Sequence, residues 1–243
     1  MKTMISLSSK NYAELTYIND SKKDLMIIYP GGGYEYTSLR EAEVVAKEFR
    51  LEGFHSLVYY YRETKLLYPD TMLEVYELLS KLKALPNIGR LFVCGFSAGG
   101  HLALHSLIKY KNFFSGAILS YPVISNDKDA IHQGSFDKLL GPNLQYKDEV
   151  SLEKIITRKL PPIFIWHTKS DQAVPVSNAY KLVSKLEQTK TPYELLLFED
   201  GPHGLSLATK EVTFPDVDPL VYEQKYQEIA TWFKKAVSFI KNI

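Results

Sequence analysis

Residues 91–108 constrain the fold more than any other part of the chain. Leu91-Phe92-Val93-Cys94-Gly95-Phe96 is nearly unbroken apolar sequence. After Ser97 the chain reads Ala98-Gly99-Gly100-His101-Leu102-Ala103-Leu104-His105-Ser106-Leu107-Ile108, with helical spacing. A buried strand that gives way so quickly to a helix must turn sharply. Gly95 and Gly99 flank Ser97 in a G-x-S-x-G pattern, because a side chain at either point clashes with so tight a turn. The turn exposes the Ser97 hydroxyl, and the start of the following helix favours negative charge developing beside it. Ser97 is therefore the candidate nucleophile, provided that partners for it exist elsewhere in the chain.

Strands and helices alternate around this turn. Leu25-Met26-Ile27-Ile28-Tyr29 reads as a buried strand stopped by Pro30-Gly31-Gly32-Gly33. Helical spacing follows over 40–52 and Gly53 ends it, His55 to Tyr61 is a second strand, and Pro69 opens a helix through Leu82. Beyond the elbow, Phe114 to Tyr121 and Ile163 to His167 are strands, Pro175 to Gln188 a helix and Tyr193 to Phe198 a strand. Leu220 to Ile240 is read as one closing amphipathic helix. Such alternation predicts an α/β class with a mostly parallel sheet covered on both faces. Residues 1–243 read as one domain. The stretch 122–160 mixes Asn, Asp, Gln, Gly and Lys with short apolar pieces, and is expected to be a cap-like insertion over the sheet edge.

Composition narrows the function. A net charge of +1 gives no electrostatic case for nucleic acid or an anionic membrane. The single cysteine, Cys94, lies inside the apolar run before Ser97, which rules out an internal disulfide and a zinc site built on thiolates. No signal-peptide pattern opens the chain, and no run approaches the roughly 20 apolar residues of a membrane span. A cytoplasmic location is the expectation.

A serine nucleophile needs a base, an acid to hold the base, and donors for the oxyanion. His203 sits in Gly201-Pro202-His203-Gly204, a poor place for core packing and a good one for a proton shuttle. Asp171, in Asp171-Gln172-Ala173-Val174-Pro175, is the preferred acid. Its rivals Glu199 and Asp200 stand too near His203 in the chain to reach the far ring nitrogen easily. Glycines in Pro30-Gly31-Gly32-Gly33-Tyr34 let backbone N–H groups turn inward, which makes Gly32 and Gly33, with the N–H of Ala98, the candidate oxyanion hole. The loop lacks the spacing of a dinucleotide or Walker motif. His101 and His105 lie one turn apart without an accompanying H-E-x-x-H glutamate, so they are read as packing or as part of a surface face, and no metal is expected. His55, His132 and His167 compete poorly for the base.

Taken together, PGGGY (30–34), Arg40-Glu41-Ala42-Glu43, Tyr61-Arg62, GFSAGGHLA (95–103), SYPVI (120–124), PPIFIWHTKSDQAVPV (161–176) and GPHGLSLA (201–208) resemble small bacterial serine esterases of the α/β-hydrolase fold. These are of the acetyl-xylan-esterase-like, carbohydrate-esterase type, distantly related to the hormone-sensitive-lipase group. The resemblance implies the triad order Ser97, Asp171, His203 and an oxyanion loop after the first clear strand. It implies hydrolysis of a small acyl ester, acetylated sugars included, without cofactor, metal, nucleic acid or membrane. Tyr34, Tyr36, Tyr121 and Trp166 are candidates to line the substrate pocket. An arylformamidase, a small peptidase, or a hydrolase-like chain serving only as a binding module stay as alternatives. The chain departs from the pattern at Pro30, where lipase-type loops carry histidine. It departs again at Glu74, where relatives often carry aspartate.

Overall fold

Short, continuously apolar runs become strands buried on both faces, and the amphipathic segments between them become the helices that cover those faces. The computed structural model describes residues 1–243. A hairpin of β1 (Lys2–Ser6) and β2 (Tyr12–Thr16) leads to β3 (Lys23–Tyr29), α1 (Glu43–Leu51), β4 (His55–Tyr60) and α2 (Asp70–Lys83). Then come β5 (Ile88–Phe96), α3 (Ala98–Lys109), β6 (Phe114–Ser120), α4 (Gln133–Leu140) and α5 (Leu152–Ile155). The chain continues through β7 (Ile163–Thr168), α6 (Ser177–Gln188) and β8 (Tyr193–Phe198), and ends with α7 (Pro219–Tyr226) and α8 (Thr231–Lys241).

The strands form one eight-stranded sheet in the order β1-β2-β4-β3-β5-β6-β7-β8. The two pairings made by β2, with β1 and with β4, are antiparallel, and the other five are parallel. Alternation along the central strands divides the core in two. Leu25, Ile27, Tyr29 and Val93 pack with α2, α3 and α6, while Met26, Ile28, Phe92 and Cys94 pack with α1 and α8. The candidate residues Ser97, Asp171 and His203 and the glycine loop collect where the carboxyl ends of β3, β5, β7 and β8 open into loops, the usual place for a site on such a sheet.

Two parts of the secondary structure differ from the sequence reading. The β1–β2 hairpin was not anticipated. β1 is an edge strand with only Ile5 partly buried, so it carries no apolar run, and β2 buries only Ala13 and Leu15. The closing helix is two helices. α7 turns Tyr222 and Tyr226 inward, whereas α8 buries Trp232, Phe233, Ala236, Val237 and Ile240 under the sheet. One straight helix could not present both sets to their different neighbours.

Glu74 proves to be an anchor for the hairpin. Its buried carboxylate accepts hydrogen bonds from Ser9 Oγ, Tyr59 Oη and Asn11 Nδ2, the last at 2.7 Å. The 122–160 stretch holds α4 and α5 and packs against α3 and α6. No helix is long and apolar enough to cross a membrane.

Candidate active site

Ser97 occupies the single position between β5 and α3, at φ 52° and ψ −119°, a strained backbone for a residue with a side chain. The flanking glycines explain how the turn closes. A Cβ on Gly99 would stand 2.0 Å from the Tyr29 carbonyl oxygen, and one on Gly95 would stand 2.4 Å from that of Gly99. The elbow is locked by backbone bonds. The Ser97 N–H donates to the Ser120 carbonyl at 2.9 Å, and its own carbonyl accepts from His101 and Val123.

His203, on the loop after β8, and Asp171, after β7, meet at this serine. The Ser97 hydroxyl donates to His203 Nε2 at 2.8 Å, and His203 Nδ1–H donates to Asp171 Oδ2 at 2.7 Å. The other Asp171 oxygen accepts the N–H groups of Ala173 and Val174, both at 2.9 Å. Burial opposes the charge on Asp171. Hydrogen bonding from the two neighbouring imidazoles and from the Val174 N–H outweighs burial and holds the carboxyl well below the usual range. The second imidazole is His167, whose Nε2 lies 3.4 Å from Asp171 Oδ2 and donates to the Val174 carbonyl at 2.9 Å. The rival acids face solvent, Asp200 bonded to Ser170 Oγ and Glu199 to Lys169.

Above Ser97 the glycine loop takes positive φ at Gly32 (119°), Gly33 (62°) and Tyr34 (60°). Only glycine fits at Gly32, where a Cβ would approach the Tyr36 carbonyl oxygen to 2.1 Å. The N–H groups of Gly32 and Gly33 have no acceptor within the chain. Ala98 opens α3, so its N–H has no partner inside that helix.

Two residues named in the sequence only as part of a motif, Glu41 and Arg40, brace this loop and the His203 loop. Glu41 Oε2 accepts the Gly31 N–H at 2.8 Å and Oε1 accepts the Tyr121 hydroxyl at 2.5 Å. Tyr121 Oη in turn accepts the Ser206 N–H at 2.9 Å, which ties the glycine loop to the His203 loop. Arg40 donates to the carbonyls of Gly204 at 3.0 Å and Val212 at 2.8 Å. Nothing in the local sequence could have separated Glu41 from Glu43, because its partners lie up to 80 residues away.

The cavity around Ser97 and His203 has a volume of about 340 Å³, and Tyr36, Ser38, Arg40, His132 and Phe214 complete its walls. Three expected wall residues are placed elsewhere. Tyr34 turns inward, donating to His101 Nδ1 at 2.8 Å, and His101 Nε2–H donates to the Val150 carbonyl at 2.7 Å. Tyr121 is the buried strut just described, its ring set edge-on to His203 with centroids 4.9 Å apart. Trp166 falls on the α8 side of β7, where its indole N–H meets Ser120 Oγ at 2.7 Å and its ring stacks on Trp232 at 5.1 Å. Tyr36 lines the cavity. His132 and Phe214 are missed from sequence because each stands in a stretch without periodicity.

Residues 53–237 match the prolyl oligopeptidase family. The chain belongs to that family. Among solved structures, this family member is similar to an acetyl ester-xyloside bifunctional hydrolase from Caldicellulosiruptor lactoaceticus, 27% identical with a TM-score of 0.78 over 93% of this chain and 96% of that one. A sugar hydrolase from Lactococcus lactis is 26% identical with a TM-score of 0.82, covering 100% and 98%. The carboxylesterase Cest-2923 from Lactobacillus plantarum, 21% identical, shares the fold at a TM-score of 0.82 over 100% and 96%. The endo-1,4-beta-xylanase B of Butyrivibrio fibrisolvens is 33% identical over 217 residues, which make up 79% of this chain and 34% of that protein. The chain thus spans about a third of the length of that relative. The eight-stranded, mostly parallel sheet flanked by helices is the α/β-hydrolase fold.

Proposed function

We propose that this protein is a serine carboxylesterase that removes short acyl groups, acetyl foremost, from small esters including acetylated sugars. The observation that carries the reading is the hydrogen-bonded chain from Ser97 through His203 to Asp171, at 2.8 and 2.7 Å. In this mechanism Ser97 Oγ attacks the ester carbonyl carbon as His203 Nε2 takes its proton. Negative charge on the carbonyl oxygen is met by the N–H groups of Gly32, Gly33 and Ala98, for the first two of which the folded chain supplies no acceptor. His203 then returns the proton to the departing alcohol. A water molecule, activated by the same imidazole, cleaves the acyl-enzyme and regenerates Ser97. Asp171 keeps the Nδ1 proton in place and favours the imidazolium form.

The character of the cavity supports the acyl preference. Apart from the rings of Tyr36 and Phe214, its walls are glycine backbone and polar side chains, with no apolar tunnel for a long chain. Similarity to the acetyl ester-xyloside hydrolase and to the xylanase points the same way. The wild-type protein is expected to hydrolyse p-nitrophenyl acetate, with rates falling steeply from acetate to octanoate, and to label with a fluorophosphonate at Ser97. Ser97→Ala should abolish both reactions; full activity in that variant would remove the serine from the mechanism. A prolyl p-nitroanilide and N-formylkynurenine, run alongside, test the peptidase and formamidase alternatives.

A further inference from the structure

The walls of the candidate site include one side chain that the mechanism above does not use. His132 lies in the 122–160 insertion, immediately before α4, and its half-buried ring borders the same cavity as Ser97 and His203. Its Cε1 stands 3.9 Å from where a Cβ on Gly33 would be, so the imidazole leans over the oxyanion loop. Its tautomer is set by the helix it caps. Nδ1 accepts the Ser135 N–H at 3.3 Å and lies 2.8 Å from Ser135 Oγ. A neutral ring that accepts at Nδ1 carries its proton on Nε2. Burial, aided by the nearby His203, pushes the His132 pKa down, which favours that neutral ring. Nε2–H has no acceptor within the protein.

The substrate offers few places for such a donor to go. The carbonyl oxygen has the backbone donors of the glycine loop and of Ala98. An acetyl methyl group accepts nothing. What remains is the alcohol half of the ester. The exposed ring of Tyr36 and the half-buried ring of Phe214 add apolar surface to this otherwise polar cavity, a combination suited to the face and the hydroxyls of a pyranose. We propose that His132 is a specificity-determining residue whose Nε2–H is donated to a free hydroxyl oxygen of an acetylated sugar. The inference rests on the esterase reading of the site and goes beyond it, by assigning recognition of the leaving alcohol to the insertion.

The test compares two esters, phenyl acetate, whose alcohol half has no further hydrogen-bonding group, and a methyl xyloside carrying one acetyl group and free neighbouring hydroxyls. His132→Asn keeps a good helix cap while drawing the donor back out of the cavity. His132→Gln retains a longer reach. For His132→Asn, kcat/KM on the acetylated xyloside should fall about 5- to 20-fold, the scale of one lost hydrogen bond, and by a clearly larger factor than kcat/KM on phenyl acetate. His132→Gln should recover part of the loss. Thermal melting of each variant, matched to wild type, excludes unfolding as the cause. An equal loss on both esters, or no loss on the xyloside, would overturn the assignment of His132 alone. Absence of ester hydrolysis by the wild-type protein would overturn the esterase reading and this inference with it.

Discussion

Asp171 does more at the residue scale than balance a charge. With Nδ1–H of His203 donated to Asp171 Oδ2, the ring can only accept from Ser97 at Nε2. Asparagine offers an amide that can donate to Nδ1 and stabilise the opposite tautomer, which leaves Nε2 protonated against the serine hydroxyl. Asp171→Asn should therefore lower kcat by about 10⁴-fold with little change in KM, read from esterase kinetics on p-nitrophenyl acetate. Asp200→Asn provides the contrast. Its carboxylate is exposed and bonded to Ser170, so activity within about twofold of wild type is expected. A comparable loss at Asp200 would move the acid role to that residue.

At the scale of elements, the loops after β3, β6 and β8 are held together by Glu41 and Tyr121. Both groups bonded to the Glu41 carboxylate are donors, the Gly31 N–H and the Tyr121 hydroxyl, and the latter is already committed as acceptor to Ser206. Glutamine would place an NH₂ against one of those donors and leave a buried group unsatisfied. Glu41→Gln should cost about 1–3 kcal/mol of stability, measured by urea unfolding. It should also lower kcat more than it raises KM, because Gly31 leads directly into the glycine loop proposed to bind the oxyanion. Unchanged kcat would show that the loop keeps its geometry without the carboxylate. The 122–160 stretch forms a second support, through Val150, His101 and Tyr34, behind the same loop.

Over the whole molecule, buried histidines couple the fold to pH. Burial lowers the His101 pKa to about 4 from an unperturbed 6.5, against a weaker opposing effect of its bond to Val150. The folded protein thus holds a neutral ring while the unfolded chain binds a proton as pH falls through that window. The contribution is fully present above about 6.5 and is lost progressively down to about 4. Melting temperatures recorded across this range should fall more steeply for wild type than for His101→Gln, the gap corresponding to about 3 kcal/mol. Parallel slopes would show that His101 does not contribute.

The α/β class, the six strands β3 to β8 along the chain and the candidate residues Ser97, Asp171 and His203 were legible because each leaves a local mark. Apolar runs mark strands buried on both faces, and Gly95 and Gly99 mark a backbone approach that excludes side chains. A histidine between proline and glycine marks a loop rather than a core. Such features depend on neighbours in the chain, so the chain alone determines them. Tertiary structure alone decided which aromatic rings face the cavity. Tyr34, Tyr121 and Trp166 are rings near the site in sequence, yet strand alternation and distant partners turn all three into the protein. Phe214 and His132, each in a stretch without periodicity, became walls instead. Glu41 gained its place through bonds to Gly31 and Tyr121, and Glu74 through bonds to the hairpin. The direction of a side chain in a loop depends on packing against residues far along the chain, and only the folded molecule brings those residues together.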